Sequence, residues 1–169
     1  MELNRELEKL LKKVEKPARY IGEEINSIKK EHADVRFGFA FPDTYAIGMS
    51  YLGLQLLYNI LNKEENIACE RVFSPAPDME ALMRQADMPL FTLETKTPLN
   101  ELDILGFTLQ YEMSYTNILN ILNLGKIPML CADRGENDPL IVAGGPCAYN
   151  PEPLAEFIDV FLIGDGEDQ

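Results

Sequence analysis

Tryptophan is absent from this 169-residue sequence, histidine occurs once and cysteine three times. A single histidine, His32, sits in a charged stretch and reads as a solvated surface residue. It leaves no means of building a Ser–His–Asp or Cys–His arrangement. Cys69, Cys131 and Cys147 form no C-x-x-C pair, which serves zinc poorly, and their odd number and wide spacing suit reduced thiols in the cytoplasm. No apolar run is long enough for a transmembrane span, and the charged N-terminus MELNRELEKLLKKVEK lacks the apolar stretch of a signal peptide. Positive charge is scarce as well: 15 Lys and Arg stand against 28 Asp and Glu, a net charge of −13. Residues 1–36 are nearly neutral, with nine bases and eight acids, whereas the remainder holds six bases against twenty acids and none after Arg134. Such a surface repels phosphate backbones, so nucleic acid is not an expected partner. An anionic ligand would have to be held by backbone N–H groups and helix ends. With 46% hydrophobic and 25% charged residues, the chain has the profile of a soluble globular protein, and its length is that of one domain.

Leu3, Leu7, Leu10, Leu11 and Val14 line one face of a helix expected over 2–15, and Pro17 ends it. Ile21, Ile25 and Ile28 have the spacing of a second helix over 20–31. From residue 35 strands and helices alternate. VRFGFAF (35–41) sets Val35, Phe37, Phe39 and Phe41 against Arg36, Gly38 and Ala40, as in a strand covered on both faces. PDTYAIG reads as a loop, 50–62 as a helix, 67–73 as a second strand and 78–86 as a short helix. Residues 88–100 form a small strand or loop excursion. A third strand is expected over 103–110, a helix over 114–124, and a loop over 126–139 that opens on a short strand. The fourth and fifth strands fall at 140–145 and 159–166. This is an α/β fold, a flavodoxin-like or Rossmann-like five-stranded parallel sheet with helices on both faces and an N-terminal helical extension. Its ligand site is expected at the C-terminal ends of the strands, in the loops PDTYAIG, SPAPD, TLQYE, GGPCAYN and GDGE.

Those loops exclude several functions. No G-x-G-x-x-G follows the first strand, and Leu54-Gln55 stands where a P-loop needs Lys-Ser/Thr. A receiver domain needs an Asp ending the third strand and a Lys ending the fifth, and neither is present. What stands after the first strand is Asp43-Thr44-Tyr45-Ala46-Ile47-Gly48. It resembles the D-x-H-x-x-G loop of cobalamin-binding domains, with Tyr45 in the place of the cobalt-ligating histidine. Thr108-Leu109-Gln110 resembles that family's Ser-x-Leu after the third strand, and Gly144-Gly145, followed by Pro146, its Gly-Gly pair after the fourth. KPARYIGEE (16–24), FPDTYAIGMSYLGLQLLYNILN (41–62), DILGFTLQYEMSYTNIL (103–119), AGGPCAYNPEP (143–153) and FLIGDGE (161–167) extend the likeness. Over about 14–169 the chain resembles the N-terminal domain of an uncharacterised group of radical S-adenosylmethionine (radical SAM) proteins, in which a cobalamin-binding-like domain (B12-binding-like) precedes the radical barrel.

The resemblance implies a corrin held without a His ligand over the strand ends, its tail inserted between the first and fourth strands. Asp43, Thr44, Tyr45, Gly48, Thr108, Gly144, Gly145 and Pro146 are the cofactor-binding candidates. A phenol of pKa near 10 is a poor cobalt ligand at neutral pH, in keeping with cobalamin-dependent radical enzymes that lack the histidine. Glycines at strand ends let backbone approach a bulky heterocycle, and one phosphodiester needs only a few donors. The C-x-x-x-C-x-x-C motif that holds a [4Fe–4S] cluster is absent from this sequence. The cluster and S-adenosylmethionine are therefore expected in a barrel of the same protein beyond 34–169, with residues 1–33 as the helical extension and no catalytic or metal-binding residue in the chain itself. Two rival readings stand beside this: a cofactor-free scaffold of the same fold that docks the barrel or a partner, and a binder of another small heterocycle. Tyr45 and Asp43 are equally readable as loop caps, Cys147 as a small buried thiol, Met49 and Met113 as core fillers, and residues 133–138 as solvated surface. Arg19, Tyr20, Gly22 and Glu23 in KPARYIGEE read as a structural clamp, a barrel contact or a substrate contact.

Overall fold

The aromatic and small sides of VRFGFAF end up on opposite faces of a sheet, as its alternation requires. The computed structural model describes residues 2–164. Five strands, β1 (Val35–Thr44), β2 (Ile67–Ser74), β3 (Ile104–Thr108), β4 (Leu140–Gly144) and β5 (Val160–Leu162), pair in parallel in the order β2-β1-β3-β4-β5. This is the flavodoxin-like order, whose switch point lies between β1 and β3. Five helices accompany the sheet: α1 (Glu2–Leu11), α2 (Tyr45–Gly48), α3 (Leu52–Lys63), α4 (Pro77–Gln85) and α5 (Tyr115–Leu124).

The crossover from β1 to β2 runs one way along the sheet and carries α3, whereas those from β2 to β3 and from β3 to β4 run the other way and carry α4 and α5. Right-handed connections therefore place α3 on one face and α4 and α5 on the other. On the α4/α5 face, Ala40, Val72, Leu105, Phe107, Ile141 and Ala143 pack with Met79 and Met83 of α4 and Ile118, Ile121 and Leu122 of α5. Leu7, Leu10 and Val14 of the N-terminal extension join this same core. On the α3 face, Phe39, Phe41, Cys69 and Phe73 pack with Leu54 and Tyr58. Each fully buried Leu, Ile, Met or Phe side chain contributes about 1.5–3 kcal/mol.

Several sequence expectations need correction. Residues 20–31 are not a helix. After a 3₁₀ turn over Pro17–Tyr20 the chain is irregular and lies across the α3 face, because Gly22 takes a φ of +72° that ends helical backbone. Its polar groups find distant partners instead: the Ile28 N–H donates to the Tyr58 hydroxyl at 2.7 Å, and the Lys30 ammonium donates to the Glu64 and Ile67 carbonyls. The first helix ends at Leu11 rather than 15. PDTYAIG is not a loop, since β1 continues through a register shift to Thr44 and α2 follows at once. Among the described residues no strand opens 126–139, and Cys131–Asp133 is a 3₁₀ turn. The excursion at 88–100 closes on an antiparallel bridge between Phe91 and Pro98 and is buried through Leu90–Glu94. The end of the expected fifth strand, 165–166, lies outside the described residues.

Candidate functional site

The parallel sheet brings the residues after β1, β3 and β4 to one end, so Asp43, Thr44, Tyr45, Gly48, Thr108, Gly144, Gly145 and Pro146 share the C-terminal edge. They do not meet in one pocket. The fourth strand does not neighbour the first: β3 lies between them, so a slot between the first and fourth strands does not exist in this order. The adjacent edge is the crevice between β1 and β3, and side chains bridge it. The Tyr111 hydroxyl donates to Asp43 Oδ2 at 3.0 Å, and Asn117 Nδ2 donates to the Pro42 carbonyl at 2.9 Å. Tyr51 donates to Gln110 Oε1 at 2.8 Å, and Gln110 Nε2 donates to Thr108 Oγ1 at 2.5 Å. The Thr108 hydroxyl is thus engaged within its own loop. Asp43 Oδ1 also accepts the Thr44 N–H at 2.6 Å, a bond within the turn and not a cap, since α2 has Thr44 at its N-cap and no side-chain cap bond.

Gly145 has a φ of +105°, and a Cβ there would stand 3.0 Å from the Leu109 carbonyl oxygen. This glycine is required by its turn, which begins the 3₁₀ segment Pro146–Tyr149. Gly144 is not: its Cβ would meet Leu162 at an ordinary 3.6 Å. Gly48 packs against Phe73, where a Cβ would fall 2.3 Å from the ring. Its lack of a side chain seats α2 on β2 rather than leaving room for a heterocycle. Cys147 is half-buried at the core's edge, with its thiol pKa raised chiefly by desolvation. Met49 is partly buried in the α3-side core, but Met113 is 85% exposed and is not a core filler.

Tyr45 turns away from the crevice, towards the N-terminal segment. Its ring stacks edge-on against Phe73 at 5.5 Å, and its hydroxyl donates to Glu24 Oε1 at 2.8 Å. Burial, followed by the hydrogen bond to that carboxylate, pushes its pKa up to about 12. A phenol held in this way keeps its proton at neutral pH and is not placed to ligate a metal. Beside it, at the ends of β1 and β2, is a cavity of about 20 Å³ lined by Thr44, Tyr45, Arg71, Phe73 and Ser74, room for about one water. The buried Ser74 hydroxyl has no hydrogen-bond partner among the described residues, a suitable contact for that water.

Glu24 belongs to a buried ionic cluster that sequence reasoning missed. Arg71 has no exposed side-chain surface. Its Nε donates to Glu94 Oε1 at 2.6 Å, and its Nη2 donates to Glu24 Oε2 at 3.1 Å and to Ser27 Oγ at 2.9 Å. Its guanidinium lies 4.7 Å from the centre of the Tyr58 ring. Glu94 also accepts the Arg71 N–H at 2.7 Å. Next to it, buried Glu70 accepts from Thr92 and Thr95 at 2.5 and 2.6 Å. The available signal was Glu70-Arg71 inside the apolar run IACERVF: a strand covered on both faces cannot leave adjacent charges in water. In KPARYIGEE it is Glu24, not exposed Glu23, that engages, while the Tyr20 hydroxyl accepts the Ala76 N–H at 3.0 Å and Lys96 caps the Ile21 and Leu93 carbonyls. The cluster is an intramolecular clamp.

Desolvation raises the Glu24 pKa, but hydrogen bonds from its own N–H, Tyr45 and Ser27, together with the Arg71 charge, outweigh it and leave the pKa below the ordinary 4.5. A depressed carboxylate contributes stability that is present above its unfolded pKa and lost as pH falls through the folded one. Thermal melts from pH 7 downwards should therefore show Glu24→Gln less stable than the parent protein at neutral pH, with the gap closing below about 4.5. A gap independent of pH would remove the ionised carboxylate from this account.

Among the described residues, no group of three or more His, Cys, Asp or Glu side chains is placed to hold a metal ion, and no helix is long and apolar enough to cross a membrane. Residues 53–169 match the family described as "Radical SAM proteins, N-terminal". The uncharacterised protein MJ0966 of Methanocaldococcus jannaschii is 30% identical over 130 residues, which are 75% of this chain and 23% of that protein. The chain thus spans about a quarter of the length of this relative. No solved structure matches it.

Proposed function

The chain belongs to the N-terminal family of radical SAM proteins, and from that premise we propose that it serves as a cofactor-free scaffold, docking the radical SAM barrel of the same protein against the C-terminal ends of its strands. The observation that carries this reading is the state of those ends. The polar residues of the crevice are satisfied by one another, while Ile47, Tyr111, Met113 and Tyr149 around it are 50%, 42%, 85% and 72% exposed. A rim of apolar and aromatic side chains around a closed polar centre suits a protein surface. In this reading the [4Fe–4S] cluster and S-adenosylmethionine belong to the barrel.

The cobalamin reading is supported by the order of its loops, since Asp43–Gly48, Thr108 and Gly144-Gly145-Pro146 all lie on the edge flanking the switch point. It requires the Tyr111–Asp43 and Tyr51–Gln110 bridges to open. One measurement separates the two. Residues 1–169 and the full-length protein are mixed with hydroxocobalamin, freed of unbound ligand by gel filtration and scanned. The scaffold reading expects no retained corrin absorption in either. A base-off spectrum that co-elutes with either protein overturns it in favour of cobalamin.

A further inference from the structure

Among the described residues, half of one sheet face carries no helix. Only the crossover from β1 to β2 delivers a helix, α3, to its side, and α3 covers β1 and β2. The connections from β2 to β3 and from β3 to β4 place α4 and α5 on the opposite face, which carries Leu105, Phe107, Ile141 and Ala143 in the core. The chain before β1 is already used: α1 packs on the α4/α5 face, and the segment carrying Asn26 and Ile28 lies beside α3 near β2. On the α3 side, over β3, β4 and β5, no helix lies among the described residues.

This uncovered half is apolar. Side chains alternate along a strand, so Ile104 and Gly106 of β3, Leu140 and Val142 of β4, and Val160 and Leu162 of β5 face the α3 side. The Cβ position of Gly106 lies 2.5 Å from Phe37 Cζ and 3.3 Å from Val142 Cγ2, which places these three residues together on that face. Leu140, Val160 and Leu162 are 44%, 40% and 42% exposed, whereas Ile141 and Ala143, on the opposite face, are at most 1% exposed. The wall is α3 itself. Its Gln55 flank meets Asn26, so Gly53, Leu57 and Ile60 line the other flank, towards β3. Leu57 is half-buried there and Ile60 is 39% exposed, whereas Leu52 and Leu56 lie on the outer face of the helix, opposite Leu54 and Tyr58. Parallel sheets are stable with both faces covered, and the Phe37 ring, seated on Gly106, fills the floor beside α3.

We propose that an amphipathic helix of the polypeptide that follows β5 in the full-length radical SAM protein fills this groove, seated on Val142, Leu140 and Leu162 and against Leu57 and Ile60. This rests on the reading that the domain precedes further radical SAM sequence. It is supported by the relative in which the matching stretch makes up 23% of the protein. The segment leaving β5 starts at the groove's own edge and needs no crossover to reach it.

Single Ile60→Cys, Leu162→Cys and Tyr149→Cys variants of residues 1–169 and of the full-length protein are reacted with a maleimide, and the rate at each site is read by peptide mass spectrometry. Ile60→Cys and Leu162→Cys should label at least about tenfold more slowly in the full-length protein. Equal rates at these two sites overturn the proposal. So does protection that grows with concentration in residues 1–169, since a second copy would then be the occupant. Tyr149→Cys reports the strand-end rim separately: protection there alone leaves the docking reading standing without this helix, and protection at the groove alone does the reverse.

Discussion

Arg71→Ala should destabilise the domain by about 3–5 kcal/mol, because it strands Glu94 as a buried charge without its partner. Glu94 has no exposed side-chain surface, and burial, opposed by Arg71, raises its pKa. Removing the guanidinium removes the opposing influence and leaves the burial. Against a total stability of about 5–15 kcal/mol, the loss should lower the urea midpoint by about a fifth or more. Arg71→Lys should recover only part of it, since an ammonium cannot reproduce a fork that donates to Glu94 from Nε and to Glu24 and Ser27 from Nη2. The double variant Arg71→Met/Glu94→Met distinguishes an uncompensated charge from a packing defect. It should be more stable than Arg71→Ala, as buried pairs replaced whole by apolar side chains generally are. A double variant as unstable as the single one would assign the loss to packing.

Gly22→Ala should have an effect of similar size for a different reason. The backbone at Gly22 has φ +72°, and a Cβ there would lie 1.8 Å from the Leu93 carbonyl oxygen, a contact that only backbone movement relieves. The left-handed conformation costs a residue with a side chain about 1–2 kcal/mol, and overpacking against fixed backbone adds about 1–3 kcal/mol. Because the segment carries Glu24 and Ser27 to Arg71, displacing it also loosens the ionic cluster. Gly144→Ala is the internal control: its Cβ would meet Leu162 at 3.6 Å with no positive φ, and its unfolding free energy from the urea transition should stay within about 0.5 kcal/mol of the parent. Equal effects at the two glycines would contradict the geometry assigned to both.

The sheet and its two covered faces were legible because the signals are local. Phe37, Phe39 and Phe41 alternate with Gly38 and Ala40, LIVAG is continuously apolar, and Leu52, Leu56, Leu57, Ile60 and Leu61 repeat at helical spacing, so β1, β4 and α3 follow from short windows of sequence, although the face that α3 buries is that of Leu54 and Tyr58. Residues 20–31 misled the same method. Ile21, Ile25 and Ile28 have helical spacing, yet Ile25 is fully exposed and the segment is held by Tyr58, Lys96 and Arg71, which lie 30 to 75 residues away along the chain. The candidate site was legible in part for the same reason. The loops after β1, β3 and β4 follow from topology, and the Gly145 turn from its dipeptide. Their internal pairing did not, since Tyr45 with Glu24, Tyr111 with Asp43 and Tyr51 with Gln110 span 21, 68 and 59 residues. No periodicity encodes a contact of that range.

The Arg71 cluster also sets an order of events during synthesis. Its carboxylates come from opposite sides of Arg71 in the chain, Glu24 ahead of it and Glu94 behind. When β2 has left the ribosome, the guanidinium has one of its two acidic partners and none of the excursion that seals it from water. The pairing of β1 with β2 needs only those two neighbouring segments, but Arg71 on β2 lacks its second carboxylate until residues 88–97 emerge. At about 5–20 residues per second, that is an interval of one to a few seconds. During it the half-built sheet exposes the unpaired edge of β1 where β3 later adds. This is the stage at which a nascent chain of this fold is most open to chaperones and to association with its own copies.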